Sequence, residues 1–192
     1  MTASPLAAWT DRLAVLAPVL TVAEHPFHSQ LTVRASEPDA IAAMGTALGV
    51  RFPAVPCTFT SGSGAFGDVE VLWMGPDEFL VVASPDLQVT IEEVLRGALG
   101  NARGSVVDTS AQRTTVVLQG PLVRDVLAHG CSVDLHPSAA PVGTCVQTLL
   151  ARTGVVLQVT GEDRFTLLVR SSFADYLAAW IADACTEYLA VP

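Results

Sequence analysis

Asp108, Ser110, Gln112 and Arg113 crowd a carboxylate, a hydroxyl, an amide and a guanidinium into one short run of the chain. An arginine can clamp a carboxylate ligand through two parallel hydrogen bonds, and the same fork serves an ion pair with Asp108 or with a partner chain. Both uses stay open, the structural or interface use being the more ordinary. The run ends where strand character begins, at a position from which side chains can be aimed into a site.

Other candidates are weaker. Gly62, Gly64 and Gly67 reproduce G-x-G-x-x-G, but a dinucleotide fingerprint needs a helix to start directly after it, and residues 68–73 alternate like a strand. The stretch reads as a flexible loop. His25 and His28 flank Pro26, which spoils a helical ligand pair, and His129, Cys131 and His136 lack an acid-plus-histidine signature, so no metal is assigned to either group. The acids of Asp77-Glu78 and Glu162-Asp163 occupy turn sequences, where solvation favours acids irrespective of function. No G-x-S-x-G elbow is present. The sequence contains no lysine, which removes Schiff-base chemistry and the P-loop together. No catalytic, cofactor-binding or metal-binding residue is therefore assigned.

Composition sets the wider bounds. The chain of 192 residues suffices for a single domain with one core, or two small subdomains sharing one. Hydrophobic residues make up 51% and charged residues only 15%, which leaves little polar surface to cover a free monomer and points to burial against a partner protein. Charges interrupt every apolar run before it could span a bilayer, so no membrane is expected. A net charge of −9 without a basic stripe argues against nucleic acid. Residues 13–23 lack the basic flank of a signal peptide, and the four cysteines are scattered, so an uncleaved cytoplasmic protein is expected.

The elements that would position these residues repeat. After an N-terminal helix or arm over 1–23, opened by Ser4-Pro5, a strand at 30–34 precedes a helix capped by Ser36 with Asp39 and stopped at Gly49. Val69, Val71 and Trp73, the turn at Gly75-Pro76-Asp77-Glu78 and residues 79–83 predict a hairpin, and Ser84-Pro85 opens another helix. The second half follows suit: strand 116–118, helix 121–129 with Gly130 at its stop, a hairpin of 155–159 with 165–169, and a long helix capped by Ser172 and Asp175. Gly75 and Gly161 stand 86 residues apart, as do Phe79 and Phe165, and Gly45 and Gly130, read as ending equivalent helices, stand 85 apart. The expectation is an α+β fold of two similar ferredoxin-like β-α-β-β-α halves, 24–105 and 106–192, related by a pseudo-twofold.

Asp108-x-Ser110, a strand, and then Gly120-Pro121 opening a helix resemble the folate-binding half of the glycine-cleavage T-protein, an aminomethyltransferase. From about residue 24 onward the chain more fully resembles the gamma subunits of bacterial heterotetrameric sarcosine oxidases. The residues that carry this are His25-Pro26-Phe27 with Gln30-Leu31, the run from Leu72-Trp73-Met74-Gly75 through Pro76-Asp77-Glu78-Phe79-Leu80, and Asp108 through Arg113. Gly130-Cys131, Asp134-Leu135-His136-Pro137, Cys145-x-Gln147-Thr148 and Arg170-Ser171-Ser172-Phe173 with Tyr176-Leu177 continue the match in order.

That resemblance implies a complex with alpha, beta and delta subunits that oxidises sarcosine to glycine, with FAD, FMN, NAD, zinc and tetrahydrofolate held by the other subunits and no cofactor on this chain. T-proteins carry acidic residues shortly after the glycine corresponding to Gly154, whereas here Val155-Val156-Leu157-Gln158 follows. The chain also stops at Pro192, before a second T-protein domain. The resemblance thus implies a non-catalytic scaffold docked chiefly on the alpha subunit. The alternative is a stand-alone folate or one-carbon binding protein that uses Asp108, Ser110 and Arg113.

Overall fold

The computed structural model describes residues 3–17 and 19–189; Pro192, the stop noted above, lies outside them. From the N terminus the chain passes through α1 (Thr10–Ala14), β1 (Thr21–His25), β2 (Ser29–Ala35), α2 (Pro38–Leu48), β3 (Phe59–Gly64), β4 (Gly67–Gly75), β5 (Glu78–Ala83) and α3 (Gln88–Leu99). It continues through β6 (Gly104–Asp108), β7 (Arg113–Gln119), α4 (Val123–Ala128), β8 (Cys145–Leu150), β9 (Thr153–Gly161), β10 (Arg164–Arg170), α5 (Ala174–Ala184) and α6 (Thr186–Leu189). The strands form two antiparallel five-stranded sheets, in the orders β3-β4-β5-β2-β6 and β1-β7-β10-β9-β8. The fold is α+β. Each sheet has more strands than the β-α-β-β-α pattern supplies, because β1, β3, β6 and β8 lack the strict apolar alternation by which the other strands are recognised.

Two compact units divide the chain: Phe27–Ala111, and Met1–Pro26 together with Gln112–Pro192. The division expected between residues 105 and 106 falls inside β6, whose partner is β2. The N-terminal arm of 1–23 belongs with the second-half residues, since β1 pairs with β7.

In the Phe27–Ala111 unit, alternate residues of β2, β4 and β5, among them Leu31, Val33, Val71 and Val81, face Met44 and Leu48 of α2 and Ile91 and Leu95 of α3. The predicted β4–β5 hairpin forms, with a register shift between Trp73 and Gly75. Gly49 ends α2 in the left-handed conformation at φ 73°, its N–H reaching the Gly45 and Thr46 carbonyls. Gly45, matched above with the end of a helix, lies inside α2 instead. A Cβ there would come 3.1 Å from the Val50 carbonyl oxygen, so glycine is set by the chain doubling back over the helix. The capping box of Ser36 and Asp39 does not form; Glu37 is the N-cap and Pro38 opens the helix. Nor does α3 start at Ser84-Pro85. Its first turn is held from another strand, where the buried Ser29 hydroxyl accepts the Leu87 N–H at 2.9 Å and donates to the Ser84 carbonyl at 2.8 Å.

In the other unit, Val116 and Leu118 of β7, Leu157 and Val159 of β9, and Phe165 and Leu167 of β10 pack with Val126 and Leu127 of α4 and Leu177 and Ile181 of α5. Leu6, Leu13 and Leu16 of the N-terminal segment join the same core. The helix there is shorter than its apolar spacing suggests, and no side chain caps it. The arm is instead tied down at Glu24, whose carboxylate accepts the Leu6 N–H at 3.1 Å and the Thr114 hydroxyl at 2.6 Å. Asp175 does not cap α5 with Ser172 either, but accepts the Trp9 indole N–H at 2.8 Å. Gly130 follows α4 because of Trp180: a Cβ there would sit 2.7 Å from the indole Cζ2.

Two substitutions test this packing. Ser29→Ala should cost about 1–2 kcal/mol and raise amide exchange in the first turn of α3, measured by urea unfolding with hydrogen exchange. Gly130→Ala should cost about 1–3 kcal/mol in the same titration. Gly154→Ala, where a Cβ meets nothing within 4 Å, should stay within about 0.5 kcal/mol of the parent.

Candidate functional site

Strand β6 delivers Asp108 to the end of its pairing with β2, opposite Leu31. There the chain turns into a short 3₁₀ segment, Ser110–Gln112, and enters β7 at Arg113. Asp108 accepts the Ser110 N–H at 2.9 Å and the Ser110 hydroxyl at 2.6 Å. That hydroxyl oxygen accepts the Gln30 N–H at 2.9 Å, while the Gln30 carbonyl takes the Thr109 N–H at 2.8 Å. Asp108 and Ser110 thus form an Asx-type turn that fastens the end of β6 to β2 and satisfies the backbone of the buried Gln30. The Ser110 hydroxyl is thereby spent on the fold, whereas the exposed Asp108 is held through Oδ1.

Gln112 and Arg113 fall on the other side of the unit boundary. Gln112 is exposed; Arg113 is half-buried and stands opposite Arg170 in the β7–β10 register.

The remaining candidates also have local roles. Gly62 and Gly64 belong to β3, and Gly67, at φ 69°, opens β4, so the glycine run is a β-hairpin and not a loose loop. Ser63 hydrogen bonds to Asp68 across it. No helix N-terminus follows to receive a phosphate. His129 contacts the Tyr188 hydroxyl at 3.0 Å and Glu187 at 3.3 Å, whereas His136 Nδ1 pairs with Ser138 at 2.8 Å. Among the described residues no three His, Cys, Asp or Glu side chains gather as a metal site would require. All four cysteines are free thiols; burial pushes the Cys185 thiol up to about 11, leaving it protonated and unreactive at neutral pH. At the turns, Glu78 pairs with Arg34 at 2.5 Å, and the Asp163 carbonyl accepts the Gly120 N–H at 3.0 Å.

Two features escaped the sequence reading. Arg124 donates to the carbonyls of Leu135, Ala140 and Glu162 and lies 5.0 Å from the centre of the Phe165 ring, a cationic clasp joining α4 to two loops. No local motif marks it. The second is a cavity of about 690 Å³ between α2, the irregular segment 50–54 and the β4–β5 hairpin. Ile41, Val50, Phe52, Trp73 and Phe79 wall it, with the Phe52 and Phe79 rings edge to face at 5.0 Å. Trp73 and Phe79 stood out in the sequence as hairpin residues, but the cavity needs α2 opposite them.

Residues 155–158, which follow Gly154, are all buried within β9, with Gln158 only 1% exposed. No carboxylate is presented from this stretch.

Comparison with known proteins places this geometry. The model of the sarcosine oxidase gamma subunit family matches residues 33–187. The sarcosine oxidase subunit gamma of Corynebacterium sp. (strain U-96) is 37% identical over 172 residues, covering 89% of this chain and 82% of that one. Among solved structures, a chain of the heterotetrameric sarcosine oxidase from Corynebacterium sp. U-96, in complex with pyrrole 2-carboxylate, superposes with a TM-score of 0.88 at 35% identity, covering 98% of this chain and 97% of that one. The glycine cleavage system aminomethyltransferase T from Bartonella henselae shares the fold, with a TM-score of 0.65 at 17% identity over 88% of this chain and 48% of that one. With most of its length matched in both sequence and structure, this chain belongs to the sarcosine oxidase gamma subunit family.

Proposed function

We propose that this chain is the non-catalytic gamma subunit of a heterotetrameric sarcosine oxidase and serves assembly, contacting the alpha, beta and delta subunits and chiefly alpha. The complex would demethylate sarcosine oxidatively to glycine, giving 5,10-methylenetetrahydrofolate or formaldehyde with hydrogen peroxide. FAD, FMN, NAD, zinc and tetrahydrofolate would be held by the other subunits. The observation that carries this reading is the end-to-end correspondence with one chain of a heterotetrameric sarcosine oxidase.

Two features of the chain support a role without chemistry. The stretch after Gly154 is buried and carries no acid, and the carboxylate and hydroxyl of Asp108 and Ser110 are engaged in holding β6 to β2. The apolar excess of the sequence suits a chain that buries much of its surface against partners. We read both units as ferredoxin-like with an added edge strand, a reading supported by the equivalent orders β6-β2-β5-β4-β3 and β1-β7-β10-β9-β8. A cytoplasmic location goes with the four free thiols.

Co-expression with and without this chain tests the proposal. Omitting it should lower recovery of the flavin-bearing complex by about tenfold, with turnover per flavin unchanged in whatever assembles. Normal yield and turnover of an alpha-beta-delta complex would overturn the assembly role. Isothermal titration of the isolated chain with tetrahydrofolate should give no binding heat; heat that disappears in Arg113→Ala would favour the stand-alone folate-binding alternative.

A further inference from the structure

The cavity beside α2 has the dimensions of a binding pocket and a single charged residue in its lining. That residue, Arg51, is exposed, and its guanidinium has no ion pair or hydrogen bond among the described residues. In a chain with 19 acids and 10 bases, an arginine without a counter-ion beside apolar walls is an electrostatic vacancy. Of the other side chains of the lining that carry a polar group, Thr46 already donates its hydroxyl to the Ala42 carbonyl at 2.9 Å, and Trp73 is an aromatic wall with one indole N–H. The site therefore offers apolar walls and one cation.

The apolar surface does not stop at the cavity. Ala54 lines it, and the next residue, Val55, is 62% exposed. A small carboxylate ligand would fill the cavity and leave that strip in water, whereas a stretch of polypeptide covers both. The walls are also set in advance, because the absence of a side chain at Gly45 lets the backbone at Val50 and Arg51 lie directly on α2. A partner arriving there has little ordering to impose.

We infer that this groove is a docking site for a segment of a neighbouring subunit that places a large apolar side chain in the cavity and an acidic side chain on Arg51. The inference rests on the subunit reading and names the surface that reading leaves unassigned.

The test is co-purification of the complete complex with Ala42→Arg, which puts a long cation at an exposed helix position lining the groove, and with Arg51→Glu, which reverses the one charge. Val15→Arg, at a 66% exposed site of the other unit, is the control. Unfolding midpoints of the isolated variants establish that each folds, and if one does not, the other decides. The expected result is that both groove variants are recovered with the other subunits about tenfold less than wild type, while the control is recovered normally. Normal recovery of both groove variants, with wild type assembling, overturns the docking site and leaves the subunit reading intact. Failure of wild type to assemble with any partner removes the subunit reading and this inference together. Native mass spectrometry that finds a small carboxylate, or a second copy of this chain, lost on Arg51→Glu assigns the groove to that occupant and also overturns the inference.

Discussion

Backbone pairing between β1 and β7 joins Thr21 to Gln119 across 98 residues, and the organisation of the larger unit depends on it. Once that edge is formed, Glu24 stands where it can take both the Leu6 N–H and the Thr114 hydroxyl, which anchors the N-terminal arm. The arm in turn supplies Leu6, Leu13 and Leu16 to a core otherwise built from the second half of the chain, and Trp9 reaches Asp175 at the start of α5. One strand edge thus gathers hydrophobic burial, two half-buried carboxylate bonds and an indole contact into a single cooperative patch. The Phe27–Ala111 unit closes its own sheet by the analogous pairing of β2 with β6, pinned at Gln30 by the turn of Asp108 and Ser110.

The hairpins were legible because their information is local: the alternation of Val69, Val71 and Trp73 and the turn residues between Gly75 and Glu78 suffice to specify β4 and β5. The caps were not, because a serine ahead of a helix signals a cap only if the chain bends to meet it. Ser36 and Ser172 fit the local pattern and do not cap, while Ser29, buried in a strand distant in sequence, holds the start of α3. β3, with the sequence Phe-Thr-Ser-Gly-Ser-Gly, carries no hydrophobic pattern and is a strand through its pairing with β4. A similar division applies to the site. The chemical types of Asp108 and Ser110 were readable, but their use in stitching β6 to β2 depends on a pairing between segments about 80 residues apart.

The family relationship gains physical content from β9. The T-protein fold is present, and the strand that contains Gly154 carries Val155, Val156, Leu157 and Gln158 into the interior, so the stretch contributes packing. Apolar side chains here stabilise the sheet by burial, whereas a carboxylate in the same setting would cost several kcal/mol unless paired.

The unit boundaries have a consequence for synthesis. Phe27–Ala111 is one uninterrupted stretch, complete before any residue of β7 has been translated, whereas the other unit is split around it. During vectorial synthesis the contiguous unit can therefore collapse while Leu6, Leu13 and Leu16 wait without the core they will join. The polypeptide emerges as a finished module trailing a greasy leader, and the leader is covered only when the last strands arrive. Order of birth, and not only final energy, is written into where this chain starts and finishes each sheet.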